Sequence, residues 1–386
     1  MSKRVVPLAL GVTAVALLAS VCGGTPGSSS SPSAPAEVAP AAALALADDE
    51  REVSDEDRFD ALRSAQVWRP PQVPVHQAYL GQPVDAPAAI TCTFVLGELG
   101  GTTPKFDCLL DSGEKVRVKY GNGPEIPAEA ATTRLLAALG FGADSITLIR
   151  ELRCRGCPKN PFSTVKALHA VHAAPIYAKT IDYGAFEDFE WVAMERKFSA
   201  RPIETARQEG WAFSELDRVD VDHGGAPREH LEALRLLAVF LAHWDNKMEN
   251  QRLVCLTPEW PADRPCAKPF LLVHDVGATF GPKKVNLQAW QESPIWDDRA
   301  SCRVSMRHLP YDGATFGTAR ITEGGRRFLA SLLDQLSEAQ LSALFAGARF
   351  DQHAPIFGDR GSVAAWVKVF RARVRMITDG PPCPRI

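Results

Sequence analysis

Apolar residues fall into three regimes along this chain, and each predicts a different kind of structure. Residues 5–21 are apolar apart from small residues and one proline. Residues 23–47 are Ser, Pro, Ala and Gly with almost no charge. Such a stretch buries too little apolar surface to offset its ordering entropy, which predicts a tether. Acidic residues 48–57 follow, with Ser54 and Asp57 at capping spacing, and the proline-rich stretch 68–87 is predicted to drape over a domain. From residue 90 the pattern takes strand and helix periods. Residues 90–96 are apolar and β-branched, 105–110 return after a turn, and 115–120 alternate like a strand with one wet face. Pro127 opens an Ala/Leu-rich helix that reaches Leu139 and stops at Gly140. Residues 174–181 and 189–194 read as strands, and 203–218 as an amphipathic stretch. Leu231, Leu234, Leu237, Ala238 and Leu241 share one face of a helix introduced by Gly224 to Pro227. Residues 252–256 and 270–274 are predicted strands; 298–308, 323–336, 337–348 and 362–377 are predicted helices. A strand-rich front and a helical tail predict an α+β fold.

Composition narrows the classes. The 386 residues carry a net charge of −3 with no aromatic-plus-basic patch, so nothing points to a nucleic-acid partner. Without the unstructured start, about 320 residues remain, enough for one large domain or two ordinary ones. Lys3 and Arg4 before the apolar run, and Cys22-Gly23-Gly24 after it, resemble a bacterial lipoprotein signal, with Val21 where Gly or Ala is usual. The chain is therefore expected to be exported. It is then lipid-anchored to the cell envelope through Cys22, secreted after plain cleavage, or held by an uncleaved anchor. Of nine cysteines, eight remain beyond Cys22, an even number suited to an oxidising compartment. They fall as Cys92 with Cys108, Cys154 with Cys157, Cys255 with Cys266, and Cys302 with Cys383. The first and third pairs bracket hairpins. Cys154-Arg155-Gly156-Cys157 reads first as a local disulfide. With His169 and His172 it also approaches a zinc pattern, and a thiol-redox role is a third option.

Two segments carry the chemistry. His243-Trp244-Asp245-Asn246-Lys247-Met248-Glu249-Asn250 sets a lysine two residues and an asparagine five residues after an acid, directly after the apolar helix. Val273-His274-Asp275-Val276-Gly277 ends a strand in Asp-x-Gly. Two carboxylates aimed at one pocket repel unless a cation lies between them. Upstream, the glycine-rich turn 97–105 contains Gly100, Gly101 and Lys105, and an ordinary hairpin turn is the alternative. Lys119 closes the strand before the Ala/Leu helix, with Lys115 and Arg117 as competitors. Glu129 lies in that helix's first turn, with Glu125 as the alternative partner, and Glu195 follows a later strand.

The His-x-Asp-x-Lys-x-x-Asn loop resembles the protein-kinase catalytic loop, and Asp275-Val276-Gly277 resembles its Asp-Phe-Gly. Gly100-Gly101-Thr102-Thr103-Pro104-Lys105 is similar to the phosphate loop of HipA-type kinases. The exported, cysteine-paired setting looks like the secretory-pathway kinases of the casein-phosphorylating Golgi type. No Ala-Pro-Glu segment or standard glycine loop is present. The resemblance implies a two-lobed kinase-like fold: a signal over 1–22, a linker over 23–60, a nucleotide-binding β-rich N-lobe over 61–200 and a C-lobe over 201–386. It implies Asp245 as catalytic base and Lys247 as phosphoryl stabiliser. Asn250 and Asp275 become ligands for Mg²⁺ or Mn²⁺. Lys119 with Glu129, Gly100, Gly101, Lys105 and the hinge at Glu195 would hold ATP. The activity implied is an ATP- and metal-dependent phosphotransferase acting on a protein, glycan or small-molecule hydroxyl. A kinase-shaped binding module without turnover is one alternative. An envelope lipoprotein whose CxxC has a redox or structural role is another.

Overall fold

The computed structural model describes residues 53–71, 89–257, 266–282, 284–309, 313–352 and 361–385, all within one unit, residues 51–386. The export signal, the tether and most of the proline-rich stretch lie outside the described residues. Among those described, no helix is long and apolar enough to cross a membrane.

Helix α1 (Asp55–Arg63) starts at Ser54, which exchanges capping-box hydrogen bonds with Asp57. A closed five-stranded barrel follows, built from β1 (Ile90–Val95), β2 (Lys105–Leu110), β3 (Lys115–Lys119), β5 (Ser145–Arg155) and β6 (Phe186–Arg196). The order around it is β1-β2-β3-β6-β5, antiparallel except where β1 meets β5. Phe94, Phe106, Val116, Val118, Leu152, Val192 and Met194 fill it together with Cys92, Cys108 and Cys154. Helix α2 (Glu125–Leu139) leaves β3 and packs on β5. It is apolar on nearly every side and correspondingly buried. Gly140 ends it at φ 90°, where a Cβ would lie 2.2 Å from the Arg69 carbonyl.

A second sheet, order β4-β9-β8-β7, is made of β4 (Gly142–Ala143), β7 (Arg201–Pro202), β8 (Gln251–Cys255) and β9 (Pro269–Val273). Between its strands runs α5 (Arg228–Leu241), whose apolar face packs into the main core as the leucine spacing predicts. Helices α6 (Leu287–Glu292), α7 (Glu323–Asp334), α8 (Glu338–Gly347) and α9 (Val363–Thr378) close the core. The buried Arg373 ties them in by donating to the carbonyls of Phe240, Trp290 and Ser293 at 2.6–2.9 Å. The fold is thus mixed α+β.

Two predicted elements differ. Residues 174–181 hold a short helix, α4 (Ala174–Ala178), which follows α3 (Pro161–Ala170); Pro175 in its first turn favours helix over strand. Residues 298–308 hold no helix but a strand, β10 (Arg303–Ser305), paired with β11 (Thr318–Arg320). There Asp298 accepts from the Ala300 N–H and the Ser301 hydroxyl, a local turn that competes with helix, and Cys302 stands at φ 50°. The four expected cysteine pairs lie at disulfide spacing, Cα–Cα 5.6–5.8 Å, the Cys154–Cys157 pair included.

Candidate active site around Asp275

Asp275 sits where β9 ends, with its backbone left-handed at φ 25°. Aspartate tolerates that region better than most residues, and strained backbone of this kind collects at functional sites. Packing demands the glycine two residues on. A Cβ at Gly277 would lie 2.1 Å from Cγ of Glu125 on α2. The Thr279 hydroxyl meets the Thr132 hydroxyl of the same helix at 2.8 Å, and the Phe280 N–H donates to the Leu241 carbonyl ending α5. The segment after β9 is therefore wedged between α2 and α5, which brings the residues of both to Asp275.

The α2 side is ionic. Lys119 is buried, with its ammonium 2.5 Å from Oε1 of Glu129 and 3.4 Å from Oε2 of Glu195. Burial alone would lower Lys119, but the carboxylates of Glu129, Asp275, Glu195 and Glu125 outweigh it and hold the ammonium well above its usual range. Burial pushes Glu129 up, against the pull of Lys119. The competitors are otherwise engaged: Lys115 and Arg117 both pair with Asp107 at 2.9 Å, and Glu125 pairs with Lys284 at 2.6 Å. Lys105 stands directly across the β2–β3 ladder from Lys119. It is buried and makes no ion pair among the described residues. Burial and then Lys119 lower its pKa, while Asp275 and Glu125 oppose them. Its Nζ would lie 3.3 Å from a Cβ at Gly101, whose φ is +70°, and Lys166 of α3 donates to the Gly101 carbonyl at 3.1 Å. The space beside Gly100 is open.

The α5 side is held by neutral groups. Ala242 caps α5 in the left-handed region and turns the chain into His243, whose ring burial lowers to about 4. The Asn246 amide donates to the His243 carbonyl at 2.9 Å and accepts from the Thr315 and Phe316 N–H groups at 2.8 Å each. Asn250 donates to the Asp245 carbonyl at 2.7 Å, and its own carbonyl accepts from the His274 N–H at 3.0 Å. That last bond joins the loop to the residue before Asp275. Oδ1 of Asp245 is buried without a hydrogen-bond partner among the described residues. Burial raises Asp245, Lys247 opposes the rise, and Asp275 adds to it. Burial would also raise Asp275, but Lys119, His274, Lys105 and Lys284 hold it below the usual carboxylate range.

Asp245, Lys247, Asn250, Asp275, Lys119, Glu129 and Lys105 are thus gathered around one centre. The expectation for Glu195 needs correcting. Its backbone is paired on both sides within the barrel, opposite Arg117 and Ile146, and its buried carboxylate faces Lys119. A residue so placed supports the lysine rather than offering backbone groups to a base. Sequence reasoning missed Lys284 and the clamp of Thr315 and Phe316 on Asn246. Both partners of each contact lie far apart along the chain, and no local pattern marks them.

Chemically, the donor set suits a polyanion with a hard divalent ion. Asn250 and Asp275 offer the oxygen ligands such ions take. Glu129 and Glu195 balance Lys119, whereas Lys105 opposite it makes no ion pair among the described residues and is left to meet an anion. Among solved structures, the chain is similar to a Helicobacter pylori proinflammatory kinase, CtkA. The two share 9% identity at a TM-score of 0.41, over 75% of this chain and 96% of that one. A likeness of that size decides neither fold nor function. No family model matches the chain. No curated protein matches it either.

Proposed function

We propose that the protein is an ATP- and metal-dependent phosphotransferase of two-lobed, kinase-like build, exported from the cytoplasm and acting on a hydroxyl acceptor. The observation that carries this reading is the pair of buried, cross-strand lysines facing Asp275, with Glu129 and Glu195 neutralising only Lys119. The resemblance of the Asp245–Asn250 loop to kinase catalytic loops points the same way. Four cysteine pairs suit an oxidising compartment, which supports export.

On this reading Lys119 and Lys105 bind phosphate oxygens, and Glu129 and Glu195 keep Lys119 extended and charged. Gly100 and Gly101 let the turn come close above Lys105. Asp275 and Asn250 hold the metal. Bound nucleotide and ion together supply the phosphoryl group and neutralise its charge during transfer. Asp245 orients the acceptor hydroxyl and takes its proton on the carboxylate, a role its unpartnered Oδ1 suits. Lys247 favours the ionised form of Asp245.

The test uses purified protein and ATP with Mg²⁺ or Mn²⁺. A metal-dependent rise in melting temperature that Asp275→Ala abolishes supports the site, and an unchanged rise in that variant overturns the metal assignment. Transfer of ³²P from γ-labelled ATP to water, casein or the chain itself is then measured. Nucleotide binding without transfer to any acceptor in a broad panel favours the binding-module alternative.

A further inference from the structure

Three cysteines in the barrel interior and a fourth at its rim are not used by phosphotransfer. Cys92 and Cys154 are direct partners in the parallel β1–β5 register, and Cys108 is joined to Cys92 across β1–β2. Sγ of Cys108 lies 3.9 Å from Sγ of Cys154, so the two disulfides touch with no atom between them. The sulfurs of Cys92, Cys108 and Cys154 all lie within 4.8 Å of one another, and all three residues are fully buried. Cys157 differs, being half-buried at the turn beyond β5. That turn is closed by Gly156 at φ +74°, where a Cβ would lie 2.7 Å from the Tyr183 ring and 2.8 Å from Ile181.

We propose that these cysteines form a thiol–disulfide relay that passes reduction from the half-buried Cys154–Cys157 bond to the buried Cys92–Cys108 bond. A thiolate of an external dithiol attacks Sγ of Cys157. The Cys154–Cys157 bond breaks and its electron pair leaves on Cys154. The second thiol of the reductant then resolves the mixed disulfide on Cys157. The reductant becomes a cyclic disulfide, two electrons enter the protein, and Cys157 takes up a proton. The Cys154 thiolate next attacks Sγ of Cys108. A Cys108–Cys154 bond forms, the Cys92–Cys108 bond breaks, and the electron pair leaves on Cys92, which is protonated. This second step needs no further electrons, because one disulfide replaces another.

Burial disfavours a thiolate on Cys154, yet exchange trades one buried thiolate for another at the neighbouring position, so the obstacle is kinetic. The Cys92–Cys108 link staples the two strands that flank the glycine-rich turn over Lys105. Exchange moves the staple so that it joins β2 to β5 and frees the base of that turn from β1. The effect on phosphate binding rests on the function proposed above; the exchange itself does not.

The experiment treats the folded full-length chain with limiting dithiothreitol, quenches with N-ethylmaleimide and maps unreduced peptides by mass spectrometry over time. The relay gives Cys157 label first. Cys92 label and a Cys108–Cys154 linked peptide follow, with Cys92 labelled at least about tenfold faster than Cys302 or Cys383. Paired labelling of Cys154 and Cys157 with Cys92–Cys108 intact overturns it. Cys157→Ser provides a second measurement, since it leaves one odd thiol without added reductant. That thiol is expected to divide between Cys154 and Cys92, and its confinement to Cys154 counts against the relay. Should the variant not fold, the time course on the natural chain stands alone.

Discussion

The two sides of Asp275 are built from different materials. Towards α2 the contacts are ionic: Lys119, Glu129, Glu195, Lys105, and Glu125 with Lys284. Towards α5 the hydrogen bonds that fix the loop are neutral, made by the Asn246 and Asn250 amides with backbone carbonyls and N–H groups. Buried charges return their desolvation cost only when pairing is complete. Lys119 with Glu129 and Glu195 is therefore a framework that sets one cation in place beforehand, while Lys105 stays unpaired among the described residues. Neutral bonds spend no charge, so the loop can be held firmly while Asp245 keeps a carboxylate oxygen unshared. Rigidity is common to both sides, but reactivity is assigned to one.

The largest effect should come from the unshared carboxylate. Asp245→Asn keeps the shape and the loop's hydrogen bonds but removes the proposed base. Transfer should fall by about 10³-fold, or about 4 kcal/mol, with the ATP-induced thermal shift nearly unchanged. Loss of both together would place Asp245 in the binding framework and erase the distinction between the sides.

Next in size is Glu129→Ala on the ionic side. It leaves Lys119 buried with only the longer contact to Glu195, and removing one partner of a buried pair costs about 3 kcal/mol. Urea unfolding would read this as a lower midpoint at an unchanged m-value. A loss below 1 kcal/mol would mean Glu195 suffices and the pair is not the framework. Smaller again is Asn246→Ala on the neutral side. The N–H groups of Thr315 and Phe316 lose their acceptor, for about 2 kcal/mol. Asn246→Asp should not recover that stability: its carboxylate still accepts both bonds, but it loses the donor to the His243 carbonyl and buries a charge.

The same division explains what the sequence disclosed. Asp245, Lys247, Asn250 and Asp275 lie in two short segments whose spacing is itself the signal, and the bonds from Asn250 to the Asp245 carbonyl and from the His274 N–H to the Asn250 carbonyl join the two segments. On the ionic side, Lys119 had Lys115 and Arg117 as competitors along one strand, and Glu129 had Glu125 as the alternative along one helix. Asp107 and Lys284 decide between them by engaging the competitors. Lys284 is 159 residues from Glu125, and no periodicity reports such a distance. Glu195 was misjudged for a related reason: position after a strand was legible, but not which neighbour its side chain would face. Periodicity placed the long helices well, α2 and α5 above all, while the helix expected at 298–308 overlooked an aspartate turn and the alternation of Ala300, Cys302, Val304 and Met306.

Acid–base behaviour offers a finer probe. Burial raises the Asp245 carboxyl, so its ionised form appears only above the ordinary aspartate range. If it is the base, kcat/KM should climb with pH through that raised value and level off above it. Lys247 is the leading opposing influence. Lys247→Met should move the acid limb further alkaline, by less than about one pH unit, as loss of a nearby cation does. A limb that stays in place would detach Lys247 from the base.

The smallest effect tests whether the ionic side is uniform. Lys284 pairs with Glu125 at 2.6 Å, but both side chains keep some solvent contact, unlike those of Lys119 and Glu129. Pairs near water contribute little and are screened by salt, whereas buried pairs are screened much less. Lys284→Met should therefore cost only about 0.5 kcal/mol at low ionic strength and still less in molar salt, while the cost of Glu129→Ala should hardly change. Equal salt sensitivity in the two variants would mean that water reaches Lys119. The ionic side would then be an ordinary surface network, and the unpaired Lys105 would no longer argue for an anion beside it.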